Sequence, residues 1–193
     1  MKNVSIVVFA IYLLFGCNVN NKPSKVAATL EGMIGEEVIL PLDSFLCYQG
    51  LKEKETVNRH LSEYKLVVYM DSISCMSCGL KTMHEWDVYV ELSDSLEGVF
   101  DILFIVSPKH NELGLVKIKV LSENFKYPVF IDDKNIFSKI NPCIPSEEQF
   151  HVFLLDKDNR IILVGNPLKS NKIHNLLIKS MKSVSYTHLT LPT

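Results

Sequence analysis

The stretch 65–78, KLVVYMDSISCMSC, decides the fold of this chain. Its first part, Lys65–Met70, is a continuous apolar run typical of a buried strand. Its last part is the C-M-S-C motif Cys75–Cys78, and Ser74 can cap a helix that begins there. Two cysteines three positions apart at a strand-to-helix junction predict a redox dithiol, because the helix N-terminus stabilises a thiolate. Half of a zinc site has the same spacing, so the motif alone leaves both interpretations open.

Apolar runs outside this stretch predict further strands. They lie at Phe100–Val106 and Pro128–Ile131, followed by a hairpin of Val152–Leu155 and Ile161–Val164. A shorter strand is predicted at Glu37–Leu40. Strands that alternate with helices indicate βαβ units, so the chain is predicted to be an α/β protein with a largely parallel sheet and an antiparallel edge.

Helical periodicity accounts for the segments between the predicted strands. The charged stretch Lys52–Glu55 is suited to begin a helix, although the surrounding residues 43–63 give no clear pattern. In the helix after the dithiol, Trp86 falls on the apolar face and is predicted to be a core residue, whereas His84 is predicted to be a surface or packing residue rather than a ligand. The predicted helices are Cys75–Leu92, Leu113–Leu121, Ile136–Ile140 and Lys169–Met181.

The first residues have the pattern of a targeting segment. Val4–Phe15 is an apolar run that is shorter than the ~20 residues of a spanning helix. It ends in the sequence L-F-G-C, which resembles a bacterial lipobox and marks Cys17 as a lipidation site; an ordinary signal peptide is the alternative. We therefore expect residues 1–17 to be a signal peptide with its lipobox and 18–30 to be a tether. Lipidation would hold the protein in the cell envelope, on a membrane and facing the periplasm.

The expected domain covers residues 31–183. Residues 184–193 resemble a translated sequencing adaptor and are predicted to be an artefact rather than part of the fold. A hydrophobic content of 47% and a charged content of 22% are typical of one globular domain. A formal net charge of -2 and the lack of a basic cluster in the sequence argue against nucleic-acid binding.

Two further motifs give the chain a family resemblance. Tyr127–Asp132 (YPVFID) and Val152–Ile161 (VFLLDKDNRI), together with the order of the predicted elements, are similar to the thioredoxin-like fold of TlpA-type membrane-anchored disulfide reductases, and especially to small lipoproteins of Bacteroides and its relatives. The resemblance implies a three-layer α/β/α sandwich with a central mixed sheet and an antiparallel C-terminal hairpin. It also implies that Cys75 attacks a substrate disulfide and that Cys78 resolves the mixed disulfide.

That resemblance also implies which partners the protein needs. They are a disulfide-bearing protein substrate and an external electron donor, and the sequence has no flavin, haem or nicotinamide motif that would indicate a cofactor. The chain departs from the family at three positions. Ser74 replaces a tryptophan, Met76-Ser77 lacks the usual proline, and Phe150 stands where a cis-proline normally begins the hairpin strand. Pro145 would take over that role only if the loop is rearranged.

Other residues are weaker candidates for chemistry. Asp71 lies four positions before Cys75 and is suited to accept a proton from Cys78, or else to hydrogen-bond the turn at the strand end. Cys143 is a candidate third redox thiol, a metal ligand, a partner for Cys47 or a buried loop cysteine.

Three functions are compatible with these residues. The first is a lipid-anchored thiol–disulfide oxidoreductase, either a reductase or an isomerase. The second is a non-catalytic binding or scaffold lipoprotein in which the dithiol forms a structural disulfide. The third is binding of copper or zinc by Cys75 and Cys78, with or without Cys143, which is the weakest because the chain has no second C-x-x-C and no methionine-rich cluster.

Overall fold

The computed structural model describes residues 24–54, 61–71, 80 and 82–188, with side chains up to residue 181. The helices of this part are α1 (Lys25–Met33), α2 (Asp87–Ser95), α3 (Leu113–Glu123), α4 (Phe137–Ile140) and α5 (Asn171–His188). The strands are β1 (Leu46–Gln49), β2 (Lys52–Lys54), β3 (Tyr64–Met70), β4 (Phe100–Val106), β5 (Val129–Ile131), β6 (Val152–Leu155) and β7 (Ile161–Val164).

These strands form one mixed sheet with the order β2-β1-β5-β4-β3-β6-β7. The three central strands β3, β4 and β5 are parallel, because a helical connection links each to the next. A hairpin of antiparallel strands lies at each end, β1–β2 beside β5 and β6–β7 beside β3. The predicted mixed sheet with its C-terminal hairpin is confirmed. The expectation of a largely parallel sheet is wrong, since a second hairpin precedes β3.

Half of this sheet has a diagnostic arrangement. A parallel β3–helix–β4 unit is followed by the antiparallel β6–β7 hairpin and a final helix, with the strand order β4-β3-β6-β7. This is the arrangement of the thioredoxin core. The fold is thioredoxin-like.

Two hydrophobic clusters lie on opposite faces of the sheet. On the first face, Trp86, Val116 and Leu177 bring the helical segment 83–95, α3 and α5 against the even-numbered side chains of β3 and β4. On the second face, Met33 of α1 and Phe137 of α4 pack against the odd-numbered ones. Successive side chains of a strand point to opposite faces of the sheet, which divides the core into these two clusters. The presence of helices on both faces confirms the predicted three-layer sandwich.

Most predicted elements are present. The strands at 65–70, 100–106, 129–131, 152–155 and 161–164 match the predictions within one residue, and α3 and α4 lie where helices were predicted. Glu37 forms only a single bridge, to Arg160, instead of a strand to residue 40. Trp86 is buried, as predicted, and the His84 side chain is half exposed between Asp87 and Glu123.

The helix predicted to start in Lys52–Glu55 is wrong. Lys52–Lys54 is the edge strand β2, which follows a turn at Gly50 where φ is 63°. Its partner β1 is held by β5, with Leu46 opposite Ile131. The strand pairing with β5, which is distant in sequence, overrides the local helical preference of the charged residues.

The helix after the dithiol is not continuous. Leu80 is helical, but Met83–Trp86 is a 3-10 turn before α2 begins at Asp87 and runs three residues beyond the predicted end. The hydroxyl of Tyr127 donates a hydrogen bond to the Met83 carbonyl at 2.9 Å, and the Asp87 N–H bonds the His84 carbonyl instead. A side chain from the loop before β5 therefore occupies the acceptor that a regular helix would use.

Helices lie at both ends of the described part of the chain. Helix α1 begins at Lys25, within the range predicted as a tether, and the Ser24 side chain caps it by accepting a hydrogen bond from the Ala27 N–H. At the other end α5 continues to His188, across residue 184 where the domain was expected to stop. None of the helices in the described ranges is long and apolar enough to cross a membrane.

Candidate functional site

The carboxyl ends of the three parallel strands carry a row of polar residues. Asp71, Ser107 and Asp132 each directly follow the last residue of a strand. Two of them extend the hydrogen-bond ladder of the sheet. The Ser107 N–H donates to the Met70 carbonyl (2.8 Å), and the Asp132 N–H donates to the Val106 carbonyl (2.9 Å). Strand alternation places all three side chains on the face of the second cluster. All three are buried. Open α/β sheets bind ligands at this edge, so the row marks the candidate site.

Asp132 holds this row together. Its carboxylate accepts hydrogen bonds from the Ser107 hydroxyl (3.1 Å) and from the N–H groups of Ile136 (2.9 Å) and Phe137 (2.8 Å). The last two donors are at the start of α4, which has no intrahelical acceptors for them. Asp132 therefore supplies the acceptor for the first N–H groups of α4.

Tyr69 lies below the row, two positions before Asp71 on the same face. Burial raises the pKa of the Tyr69 hydroxyl, and hydrogen bonds with Ser107 and Ser138 partly oppose this rise. The negative charges of Asp71 and Asp132 raise it further. Tyr69 therefore stays a neutral donor at physiological pH, beside two carboxyl groups.

His151 is the residue directly before β6, opposite Tyr69 on the neighbouring strand. The Tyr69 N–H donates to the His151 carbonyl at 2.9 Å, and the two rings contact each other with centroids 4.9 Å apart. The imidazole is 1% exposed. Its Nε2 is 2.8 Å from the carbonyl oxygen of Pro145, whereas Nδ1 is buried with no hydrogen-bond partner among the residues that the structure describes.

Sequence reasoning did not identify His151 or Ser107. His151 is adjacent to an apolar strand, and the signal that marks it is its even spacing from Phe153 and Leu155, which are both in the second cluster. The hydrogen bond of Ser107 with Asp132 depends on the register between β4 and β5, which no local sequence pattern shows.

Of the predicted site residues, Asp71 is in the described part and lies in the polar row, 8% exposed. Cys17, Cys75 and Cys78 lie outside the described residues. The structure does describe residues on both sides of the dithiol in sequence: β3 ends at Met70, and Leu80 is helical.

The two remaining cysteines do not form a disulfide with each other. Cys47 is buried in β1, and Cys143 is half-buried against the second cluster. Burial raises the pKa of the Cys143 thiol, and the negative charge of Glu36 adds to the rise. Cys143 is therefore a poor nucleophile at neutral pH, because the thiolate is the reactive form. The Ile144–Pro145 peptide bond is trans, so Pro145 does not take the place of a cis-proline.

A separate cleft of about 410 Å³ lies between α2 and the loop 124–128. Its acidic side chains, Asp87, Glu91 and Asp94, belong to one face of α2, and it shares no residue with the polar row. In the ranges that the structure describes, no group of three or more His, Cys, Asp or Glu side chains is arranged to hold a metal ion.

This chain resembles known proteins in its three-dimensional structure but not detectably in its sequence. No protein-family model and no curated protein matches the sequence. A domain of a "possible thiol-disulfide isomerase" from Cytophaga hutchinsonii superposes with a TM-score of 0.47 at 16% identity, covering 79% of this chain and 96% of that one. The exposed lipoprotein thioredoxin Etrx1 of Streptococcus pneumoniae gives 0.45 at 14% identity, with coverages of 72% and 98%.

A thioredoxin-like protein from Porphyromonas gingivalis superposes with a TM-score of 0.46 at 18% identity, covering 76% of this chain and 92% of that one. At these sequence identities and TM-scores, the similarity to these structures gives no information about the activity of this chain. The assignment of the fold rests on the order and direction of the strands in the sheet.

Proposed function

We propose that this protein is an extracytoplasmic, lipid-anchored thiol–disulfide oxidoreductase that uses Cys75 and Cys78. One observation carries the proposal: both cysteines belong to the connection between β3 and the helical segment that includes Leu80. In a thioredoxin-like sheet this connection starts at the carboxyl edge of the parallel strands, beside the polar row of Asp71, Ser107 and Asp132. A dithiol in this connection has the chain position that disulfide exchange uses in this fold.

The proposed reaction takes two exchange steps. The Cys75 thiolate attacks one sulfur of the substrate disulfide, forms a mixed disulfide and releases the first substrate thiolate. The Cys78 thiolate then attacks the Cys75 sulfur, forms the Cys75–Cys78 disulfide and releases the second. The substrate gains two electrons and the dithiol loses two, and two protons pass from the dithiol to the substrate thiolates.

Two requirements follow from this balance. Cys78 must lose its proton before it attacks, and Asp71 at the end of β3 is one candidate acceptor. The oxidised dithiol must also be reduced again, so an external dithiol donor has to supply two electrons for each turnover. We assign no part of the reaction to Cys143, because burial keeps its thiol protonated.

The membrane anchor is a separate part of the proposal. Cys17 follows the apolar run Val4–Phe15 and would carry the lipid, which places the domain where disulfide-bearing proteins occur. Replacing Cys17 by serine should release the protein from membranes and remove the mass of the acyl groups from its N-terminal peptide. Unchanged membrane association and peptide mass would contradict the assignment of Cys17.

The reduction potential of the Cys75–Cys78 pair tests the enzymatic proposal. The protein is equilibrated with glutathione buffers, and each cysteine is quantified by alkylation and mass spectrometry. A reversible two-electron transition supports the proposal. The Cys78→Ser variant should accumulate mixed disulfides, whereas the matched Cys75→Ser variant should accumulate none and should not cycle. If Cys75→Ser cycles normally, the proposal is wrong.

A binding or scaffold lipoprotein is the second candidate. It is favoured by Phe150, a buried aromatic residue at the position where the family's substrate-facing proline is expected. In this case the dithiol would be a structural disulfide, with a reduction potential below about −300 mV. The same titration therefore separates the two functions.

A further inference from the structure

Tyr89 of α2, a member of the first cluster, forms a short hydrogen bond with His174 of α5. The Tyr89 hydroxyl and His174 Nδ1 are 2.7 Å apart, and Tyr89 is 2% exposed. Burial raises the pKa of the Tyr89 hydroxyl, so the phenol keeps its proton at neutral pH. A buried hydroxyl needs an acceptor, and in the described part of the chain Nδ1 is its partner. The phenol therefore donates this hydrogen bond, and the lone pair of Nδ1 accepts it.

Two other buried tyrosines have hydroxyl partners of a different kind. Tyr127 donates to the Met83 carbonyl at 2.9 Å, and a carbonyl oxygen does not take up a proton at neutral pH. Tyr48 donates to the Glu53 carboxylate at 2.8 Å, which is a much weaker base than imidazole. Tyr89 thus differs from both in having its proton directed at a base of suitable strength.

The base beside a phenol determines how easily the phenol is oxidised. A phenol that loses an electron becomes strongly acidic, so its oxidation is much easier when the proton can leave in the same step. Imidazole accepts protons near neutral pH, and a contact of 2.7 Å lets the proton transfer without movement of either side chain. The hydrogen bond of Tyr89 with His174 has the geometry that such a step requires.

The rings on both sides of Tyr89 connect it to the core and to the surface. The Trp86 ring is on the core side, with its centroid 5.8 Å from that of Tyr89, and Trp86 is buried. The half-buried His174 ring is on the other side, with its centroid 6.0 Å from that of Tyr89. A radical on Tyr89 would therefore be close to the surface for electron transfer, while burial would shield its ring from coupling with other molecules.

We propose that Tyr89 and His174 form a one-electron redox site. A one-electron oxidant such as a peroxyl radical takes one electron from Tyr89, and the phenolic proton moves to His174 Nδ1. The oxidant becomes its anion, Tyr89 becomes a neutral phenoxyl radical, and His174 becomes an imidazolium. A one-electron reductant such as ascorbate then returns the electron, and the proton moves back to the phenol oxygen. This activity goes beyond the proposed two-electron exchange and uses neither Cys75 nor Cys78.

Flash photolysis of the full chain tests this proposal. Tris(bipyridine)ruthenium is photo-oxidised in the presence of persulfate, and transient absorption follows the tyrosyl and tryptophanyl radicals that the ruthenium(III) complex forms. The sequence has one tryptophan, so a tryptophanyl signal belongs to Trp86. It has seven tyrosines, so a tyrosyl signal is assigned by comparing variants.

His174→Gln is the decisive variant. The glutamine carbonyl oxygen can still accept the hydrogen bond of Tyr89, but it cannot take up the proton. Tyr127→Phe is the matched control, because it removes a buried tyrosine whose hydroxyl is paired with a carbonyl. Tyr89→Phe identifies the part of the tyrosyl signal that comes from Tyr89.

We expect the Tyr89 part of the signal to form about tenfold more slowly, or slower still, in His174→Gln, since a positioned base typically contributes at least this much. The Trp86 radical should persist for longer in His174→Gln and in Tyr89→Phe, because its route to Tyr89 is lost. Tyr127→Phe should match the wild type. Equal rates in His174→Gln and the wild type overturn the proposal, and so does a tyrosyl signal that Tyr89→Phe leaves unchanged.

A measurement on the wild-type chain covers the case in which His174→Gln does not fold. The tyrosyl radical should form more slowly in D₂O than in H₂O, because the proton and the electron leave Tyr89 in one step. Equal rates in the two solvents overturn the proposal. Reduction of the radical by ascorbate should restore the tyrosine for a second flash of equal yield, and irreversible loss of Tyr89, detected by mass spectrometry, would contradict a reversible redox site.

Discussion

The two ends of the parallel strands both bury charged residues, but they do so differently. At the amino ends, Lys65 of β3 lies opposite Asp101 of β4, and both are buried. The Lys65 ammonium reaches the Lys157 carbonyl at 3.4 Å, and Asp101 accepts a hydrogen bond from the Ser62 N–H at 2.8 Å. At the carboxyl ends, Asp71, Asp132 and His151 are buried, with no buried lysine or arginine among the described residues there.

The two ends therefore differ in which charged groups they bury and in how these groups are paired. At the amino ends a cation and an anion lie on adjacent strands, and each has a backbone hydrogen-bond partner. At the carboxyl ends two carboxyl groups and an imidazole are buried, and one of the carboxylates, Asp132, accepts hydrogen bonds from a serine hydroxyl and two N–H groups at the start of α4. We therefore expect substitutions at the two ends to have different effects.

The largest effect on stability is expected at the carboxyl ends, for Asp132→Ala. The substitution leaves the N–H groups of Ile136 and Phe137 and the Ser107 hydroxyl without their acceptor, so the free energy of unfolding should fall by about 3 kcal/mol. Urea denaturation measures the loss. Asp133→Ala, at the half-buried neighbour, is the control and should change stability far less; equal losses would contradict the capping role.

The next largest effect is expected for Gly165→Ala, at the carboxyl end of β7. Gly165 has a φ of 136°, and a Cβ there would lie 3.0 Å from Ile173 Cδ1, so we expect a loss of about 2 kcal/mol. Gly98, near the amino end of β4, has a φ of 78° but no atom within 4 Å of a Cβ. Gly98→Ala should therefore cost only about 1 kcal/mol.

Thermal unfolding compares the two glycine variants. Adding Ile173→Val to Gly165→Ala removes the Cδ1 atom that the new Cβ would meet and should recover part of the loss, because strain in the backbone remains. A double variant that is no more stable than Gly165→Ala would show that the contact with Ile173 is unimportant.

A smaller effect is expected in the turn between β6 and β7, which lies at the amino ends of the parallel strands. The Asp156 carboxylate accepts hydrogen bonds from the N–H groups of Asp158 and Arg160, each at 2.9 Å. Asp156→Ala should lower the free energy of unfolding by about 1 kcal/mol. Asp158→Ala keeps its backbone donor and should stay within about 0.5 kcal/mol of the wild type. A larger loss for Asp158→Ala would place the stabilising side chain elsewhere.

The smallest effect is a change in pH dependence at Lys65. Burial lowers the pKa of its ammonium, and Asp156, Asp101 and Asp158 only partly oppose this. Below the usual lysine pKa the unfolded chain therefore binds more protons than the folded one, and stability rises with pH. Between about pH 8 and 10, Lys65→Met should remove part of this rise, and the exposed Lys157→Met should retain it. Parallel slopes for all three proteins would contradict the burial of a charged Lys65.

Local sequence signals predicted one hairpin and missed the other. The β6–β7 hairpin has two apolar strands around a turn in which Asp156 bonds its own backbone and Asn159 adopts a φ of 57°, so all of its determinants lie within a few residues. The β1–β2 hairpin depends on pairing with β5, far along the chain. A local pattern carries no information about such pairing.

The candidate site was predictable only in part. Asp71 was identified because it lies between an apolar run and the dithiol in sequence. The remaining groups are brought to the edge by the register of the sheet, so Ser107 and His151 have no local motif. The break before α2 is similar, since it depends on Tyr127, whose hydroxyl reaches the Met83 carbonyl from 44 residues away in sequence.

The outer strands of the sheet also affect how this protein meets other chains. At one edge, the side chains of β2 are Lys52, Glu53 and Lys54, all exposed. At the other, β7 is partly covered, because Gly35 and Val38 donate hydrogen bonds to the carbonyls of Ile161 and Asn159. Charge on one edge and cover on the other disfavour the addition of a foreign strand. Both edges of the described sheet thus limit the association of copies of this chain through strand pairing.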